Sequence, residues 1–266
     1  MIRIYLNFDK KSMITKVVIS AAGQGTRMLE LSKDTSKHLI LVNNRPFLAY
    51  LLDNILEAGY TEIILVVGYK QDKMREFVEN YKLDHQCNIN MVSQFEILGP
   101  KEKEYGTACP LKCVRDLVGQ SNFISLVGDN FYSARDLKSM NIDDKFNYVA
   151  GIKNDHPEKF GVLIVQGEFL KEIVEKPGRE FWQSQKLSRP ETEFVGNLIN
   201  TSLYKFTPEV FEKLPLIEKS KRGEYEITDV ISLLAKDEKV KVKILKDDWM
   251  DFGRPEDLEK FSGFIK

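Results

Sequence analysis

Three cysteines in 266 residues are too few for a disulfide framework. Cys87, Cys109 and Cys113 therefore fit a reducing compartment, and a cytoplasmic location is expected. Cys109 and Cys113 lie four apart in an apolar stretch and read as small core residues rather than a redox or metal pair, which would want CxxC spacing. Histidine is equally sparse: His38, His85 and His156 form no ligand pattern, which argues against a zinc site. Charge of one sign is also missing. Thirty-nine Lys and Arg against forty Asp and Glu leave a net charge of −1, without the basic excess that marks a nucleic-acid binder. No apolar run approaches the roughly 20 residues that span a bilayer, so no membrane partner is expected. Met1–Met13 lacks the uninterrupted apolar stretch and small-residue cleavage site of a signal peptide. It reads either as an extra edge strand or as residues ahead of a natural start at Met13.

What is present begins at Lys16. The run Lys16–Val17–Val18–Ile19–Ser20–Ala21 is short, apolar and β-branched, the pattern of a buried strand. It empties into Ala22–Gly23–Gln24–Gly25–Thr26–Arg27, and Lys37 follows ten residues after Arg27. Gly23 and Gly25 let the backbone turn and bring its N–H groups against an anion. Arg27 and Lys37 then supply fixed positive charge for a polyphosphate.

Apolar positions recur at helical spacing over Arg45–Ala58, and Gly59 ends the run. Glu62–Gly68 reads as a strand, Asp72–Tyr81 as a helix, Asn88–Gln94 as a strand, Pro110–Leu117 as a helix and Asn122–Val127 as a buried strand ending in Gly128–Asp129–Asn130. This alternation predicts a Rossmann-like α/β fold: a mixed, mainly parallel sheet with helices on both faces. The second half is more mixed, with strands expected at Tyr148–Lys153, Phe160–Val165, Glu172–Val174, Phe194–Phe206 and Val240–Leu245. Helices are expected from Thr207, over Glu226–Lys236 and over Pro255–Phe261, and solvated loops over Gly99–Tyr105 and Lys176–Thr192. No repeat or linker interrupts the chain. It reads as one domain, with a nucleotide-binding half over roughly residues 13–135 and a sugar-binding half over 136–266. Ligands of such sheets bind at the carboxyl ends of the strands, where the glycine loop and Asp129 both fall.

The two common phosphate motifs fail. A Rossmann dinucleotide loop needs a third glycine where this chain has Met28, and a Walker loop needs Gly-Lys-Ser/Thr where it has Gly25–Thr26–Arg27. The segment Ala21–Met28 followed by Ser36–Lys37–His38–Leu39 instead resembles the signature of sugar-1-phosphate nucleotidyltransferases, most closely the glucose-1-phosphate uridylyl- and thymidylyltransferases. The resemblance continues in order through Gly106–Thr107–Ala108, Leu126–Asn130, Val174–Glu175–Lys176–Pro177, Asn197–Tyr204, Arg222–Asp229 and Trp249–Gly253. The departures are Ala22 for a glycine common in thymidylyltransferases (though as in uridylyltransferases), Ser36 for a frequent proline (as in thymidylyltransferases), Glu30 for another proline, and Ser202 for the usual glycine before Tyr204. No β-helix repeats follow, so the acetyltransferase half of bifunctional relatives is not expected.

The resemblance implies attack by a sugar-1-phosphate oxygen on the α-phosphorus of a nucleoside triphosphate, with release of pyrophosphate. Both partners are anions, so such chemistry depends on clamping and neutralising rather than on a covalent nucleophile. Asp129 and Asp251 are then the Mg²⁺ pair, since this hard ion often takes only one or two protein carboxylates beside phosphates. Arg27 and Lys37 hold the leaving phosphates, with Lys33 nearby, and Lys176 holds the sugar phosphate. Ala21, Ala22, Gly23, Gly25 and Thr26 form the cradle. Gln94 reads the base with Gly106 and Thr107, because an amide offers donor and acceptor together, as uracil or thymine requires. Gly161, Glu175, Asn197 and Glu226 are the sugar-side candidates. A homodimer or homotetramer is expected by the same resemblance. Three alternatives remain open: another triphosphate or phosphate acceptor (CTP, GTP, mannose-1-phosphate, phosphocholine), a non-catalytic paralogue with the same fold, and a dinucleotide-dependent dehydrogenase. The dehydrogenase is disfavoured by Met28 and by Gly68–Tyr69 where an acidic residue is wanted.

Overall fold

A computed structural model describes residues 13–23, 25–32, 35–68, 70–178, 181 and 196–265, with the backbone alone for Thr26, Leu29 and Glu30. The expectations placed on residues 1–12, Gln24, Lys33 and most of Lys176–Thr192 lie outside these residues.

Strands β1 (Lys16–Ala21), β2 (Leu41–Val42), β3 (Arg45–Pro46), β4 (Glu62–Val67), β5 (Asn88–Ser93), β6 (Phe123–Val127) and β7 (Asn130–Phe131) belong to the first half. They alternate with helices α1 (Phe47–Glu57), α2 (Gln71–His85), α3 (Gln94–Leu98), α4 (Cys109–Lys112) and α5 (Arg115–Val118). The second half holds α6 (Ala134–Ser139), β8 (Asn147–Lys153), β9 (Gly161–Gln166), β10 (Phe169–Glu175), β11 (Leu198–Phe206), α7 (Val210–Lys213), α8 (Ile227–Lys236), β12 (Val240–Ile244), β13 (Met250–Asp251) and α9 (Asp257–Phe264). None of the described helices is long and apolar enough to cross a membrane.

Both halves feed one nine-stranded sheet of order β5-β4-β1-β6-β11-β8-β12-β10-β9. The pairs β1–β4, β4–β5 and β1–β6 are parallel, so the carboxyl ends of β1, β4, β5 and β6 share one edge. From β6 onward the pairing turns antiparallel apart from β8–β12. Strand β11 also pairs with β9, which closes β11, β8, β12, β10 and β9 into a ring. Strand pleat divides the core. Val17 and Ile19 pack with α1, α2 and α6 on one face, whereas Val18, Ile64 and Val66 pack with α4, α5, α7 and α8 on the other. A third cluster joins Phe47 to Phe252 and Phe261, seating α9 against the start of α1.

Three elements depart from the sequence reading. Arg45 and Pro46 do not begin the helix; they pair with Leu41–Val42 across a two-residue turn in which Asn43 and Asn44 both have positive φ, the geometry of a type I′ hairpin. The expected Pro110–Leu117 helix is two short helices, because i→i+3 bonds at Cys113 and Val114 close the first before the second starts. Gln94 does not end a strand but opens α3, whose N-cap is Ser93.

Ser202 takes a φ of 58° at the irregularity in β11, where the β8 register shifts between Asn200 and Tyr204. The left-handed region penalises a Cβ, and more so a branched one. Ser202→Val is expected to be about 2 kcal/mol less stable than Ser202→Gly, read as denaturant midpoints. Equal stability of the two variants would contradict this reading of the bulge.

Candidate active site

The glycine loop is built around Lys37. Gly25 has a φ of 66°, and a Cβ there would lie 3.1 Å from the Lys37 Cβ; one at Gly23 would approach the Lys37 Cε at 3.9 Å. The lysine stem therefore runs along the loop that follows β1. Ala21 and Ala22 are buried beneath it. Sequence reading missed Gly68, at the end of β4: a Cβ there would sit 2.8 Å from the Ala22 carbonyl oxygen, so its lack of a side chain lets the neighbouring strand close against the loop. Arg27 lies exposed on the 3₁₀ segment after the loop.

The ammonium of Lys37 is ion-paired with the Asp129 carboxylate. Asp129 follows β6, and its carbonyl accepts from the N–H of Phe252 at 2.8 Å. Strand β7, which begins at the next residue, pairs antiparallel with β13, opposing Asn130 to Asp251. The two aspartates thus meet on one ribbon although 122 positions separate their numbers. Burial works to raise the Asp129 carboxyl, but Lys37 against it holds it below the ordinary carboxylate range. Among the described residues Asp251 has no such direct partner. Burial and then the Asp129 charge push its carboxyl up to about 6, against weaker opposing fields from Lys37 and Arg27. Gly253 leaves room for it: a Cβ there would lie 3.2 Å from Asp251 Oδ1.

His38 belongs to the Ser36–Leu39 signature, but the sequence assigns it no role. It is 1% exposed, shares a 2.8 Å hydrogen bond with Ser36 through Nδ1, and packs beneath Gly128. Burial, helped by Lys37, lowers it to about 3, so it is neutral at physiological pH and adds no charge beside Lys37.

Gln94, expected to read the base, opens α3 just past the end of β5 and is 1% exposed, yet neither its amide oxygen nor its nitrogen has a partner among the described residues. A buried amide unpaired at both ends can pair with a group that offers an acceptor and a donor together. Gly106 has a φ of 134° and presses on the backbone of Tyr225, where a Cβ would come 2.2 Å from the carbonyl oxygen. Ala108 N–H donates to that oxygen at 3.0 Å, and Tyr225 N–H donates to Tyr105 O at 2.9 Å. The Thr107 hydroxyl accepts from the Ile227 N–H at 2.9 Å and donates to Glu226 Oε2 at 3.2 Å.

Glu226 is accordingly engaged already. Its other oxygen accepts from Arg222 at 2.7 Å and Ser220 at 3.1 Å. Glu175, at the end of β10, faces Gly161 across the pair with β9, where a Cβ would lie 3.0 Å from Glu175 Oε1. Desolvation raises the Glu175 carboxyl, Glu226 adds to the rise, and Lys176 and Arg222 oppose it. These four charges therefore form one group, and Arg222 is a member the sequence reading did not single out. Lys176 holds a φ of 44° immediately before Pro177, an unfavourable backbone fixed in part by its N–H bond to Phe160 O at 3.0 Å. Asn197 stands in the turn before β11, its carbonyl accepting from Asn154 N–H. The Phe160 ring packs edge-on against Trp249, two residues before Asp251, which ties the sugar-side group to the aspartate ribbon.

The cysteines take no part in this chemistry. Burial raises the thiols of Cys109 and Cys113 to about 11 and about 12, so both stay protonated at neutral pH. No described group of three or more His, Cys, Asp and Glu is arranged to enclose a metal ion. The chemistry of Asp129 and Asp251, two carboxylates supplying hard oxygen donors, fits an ion such as Mg²⁺, which often takes only one or two protein carboxylates.

The family model described as nucleotidyl transferase matches residues 16–266. The UTP–glucose-1-phosphate uridylyltransferase AglF of Haloferax volcanii is 29% identical over 254 residues, covering 92% of this chain and 94% of its own. The mannose-1-phosphate guanyltransferase of Saccharomyces cerevisiae is also 29% identical, over 91% of this chain and 62% of its own. Among solved structures, UDP-glucose pyrophosphorylase complexed with UDP-glucose superposes with a TM-score of 0.76 at 23% identity, covering 95% of this chain and 98% of its own, a likeness of fold.

Proposed function

From the premise that this chain belongs to the nucleotidyl transferase family and is a sugar-1-phosphate nucleotidyltransferase, we propose that it transfers the nucleotidyl group of UTP or dTTP to glucose-1-phosphate. The products are the nucleoside-diphosphate glucose and pyrophosphate. One observation carries the reading: Lys37, cradled by the glycine loop, meets Asp129 beside Asp251 on the strand edge where such sheets bind nucleotides. The buried, unpartnered amide of Gln94 supports a pyrimidine with an O4 acceptor and an N3–H donor.

Asp129 and Asp251 would hold Mg²⁺, which supplies charge neutralisation at the triphosphate. Arg27 and Lys37 take the outer phosphates and stabilise the departing pyrophosphate. The Lys37–Asp129 pair supports this role, since Lys37 turns toward incoming phosphates once the aspartate is satisfied elsewhere. Lys176 fixes the sugar phosphate so that its oxygen faces the α-phosphorus in line with the leaving group. Glu175 accepts from sugar hydroxyls. Glu226, held by Arg222, Ser220 and Thr107, links the base-side turn to the sugar side rather than contacting substrate freely. The barrier falls because repelling anions are positioned and neutralised together.

The test is pyrophosphate release with UTP, dTTP, CTP, GTP and ATP, each with glucose-1-phosphate, mannose-1-phosphate or phosphocholine. Highest kcat/KM is expected for UTP or dTTP with glucose-1-phosphate. A preference for a purine triphosphate would overturn the base assignment, and silence throughout would overturn the activity. Lys176→Ala is expected to raise the KM for glucose-1-phosphate about 10- to 100-fold, the worth of one charge-assisted contact, while the nucleotide KM holds. A change confined to the nucleotide KM would contradict its placement.

A further inference from the structure

Asp129 and Asp251 belong to separate arms of the chain. One arm runs from β6 through β7 into α6; the other follows β12, and its residues 246–249 lie in no strand or helix. The arms are tied near the aspartates by the β7–β13 pair and by Phe252 N–H on Asp129 O. They are tied again at the far end. The Asp136 carboxylate, 3% exposed, accepts from the Lys246 N–H at 3.0 Å and from the Asp247 N–H at 2.8 Å. Ser133 caps the Asp136 N–H and donates to the Asp247 carboxylate at 2.6 Å, and Arg135 is ion-paired with the same group.

A buried carboxylate that spends both oxygens on the amides of another segment locks that segment in place. The lock lies four residues from Asp251 along the chain. Asp129 and Asp251 bring like charges onto one ribbon, so a tie that holds their arms in place before a cation arrives fixes their separation. We propose that Asp136 is a positioning residue that sets the separation of Asp129 and Asp251 from the opposite end of the ribbon. This rests on the reading that the two aspartates hold a divalent ion.

Asp136→Asn keeps the shape but turns an N–H₂ group toward amide donors. Amide hydrogen exchange on the metal-free variant should quicken at least ~10-fold at Lys246, Asp247 and Phe252. Calorimetry should show Mn²⁺ affinity down several-fold, with kcat lowered and the glucose-1-phosphate KM unchanged at saturating Mg²⁺. Tyr60→Phe is the control, because it removes a 2.8 Å bond to Leu137 O on the same helix. It should lower stability yet leave the 246–252 exchange and Mn²⁺ affinity at wild-type values. Should Asp136→Asn not fold, Arg135→Ala on the exposed side of the lock should move exchange and Mn²⁺ affinity in the same direction by less. Unchanged exchange and Mn²⁺ affinity in the folded Asp136→Asn protein, or in Arg135→Ala where it stands in, would overturn the proposal alone. Absence of Mn²⁺ binding by the wild type would overturn the metal reading, and the positioning role with it.

Discussion

Asp251→Asn is expected to abolish most turnover and at the same time to make the metal-free protein more stable at pH 8. The first effect follows from removing a charge that would face the divalent ion; losses from such groups are of order 10³-fold. The second follows from linkage. The Asp251 carboxyl is raised to about 6 in the fold against 3.8 for an ordinary aspartate. A raised acid favours the fold in its protonated form, so its contribution is complete below the unfolded pKa and is lost as pH climbs through about 6. Above that pH the ionised side chain is a burden, and an amide removes it. The gain is on the order of 1–2 kcal/mol after allowance for solvent screening. It should shrink as pH falls from 6 toward 4 and vanish below, and saturating Mg²⁺ should reverse it by stabilising the wild type alone. Thermal melts from pH 4 to 8, with and without Mg²⁺, read this directly. A variant less stable than wild type at pH 8 without metal would contradict the crowding of the two acids.

Gly106→Ala should be the most damaging of the glycine substitutions. The added methyl would lie 2.2 Å from Tyr225 O and 2.5 Å from its nitrogen, at a φ of 134°. Neither atom is a flexible tip, so the 105–108 segment must part from 225–227. That also breaks the Thr107 bonds to Ile227 and Glu226. A loss of at least about 3 kcal/mol is expected, with KM raised for both substrates if, as proposed, the turn serves the base and its Thr107–Glu226 bond reaches the sugar side. Gly167→Ala is the comparison: its φ of 60° lies in the left-handed region, a smaller backbone penalty than at 134°, and no described atom lies within 4 Å of the added methyl, so about 1 kcal/mol is expected. Similar melting temperatures for the two variants would show that the Tyr225 contact carries little weight.

What could be read from the sequence follows the range of the interactions. The glycine loop and β1 were legible because a fully buried strand followed by glycines is a local pattern. The cation and acid candidates were legible through the resemblance, motif by motif. The meeting of Asp129 with Asp251 depends on two-residue strands, too short for any periodicity to show. The ring closed by β11 against β9 is a long-range pairing with no local signal. The Asn43–Asn44 hairpin did carry one, since paired asparagines tolerate the left-handed turn, but the strong helical periodicity that follows masked it. Gly68 carries no motif, and His38 stands inside the Ser36–Leu39 signature with no role attached to it. Their importance appears only where one strand end closes on a loop and where a buried ring fills the space under Gly128. Glu226 could be named as a sugar-side candidate through the resemblance, but its engagement with Arg222, Ser220 and Thr107 could not, because those bonds form only once the 105–108 and 220–227 segments come together.

The most direct measurement is pyrophosphate release from UTP and glucose-1-phosphate by wild type and Asp129→Asn across a Mg²⁺ titration. Strict dependence on the divalent ion is expected for the wild type, with turnover at least about 10³-fold lower in a variant that keeps its circular dichroism spectrum. Turnover without any divalent ion, or a variant working near the wild-type rate, would contradict the account.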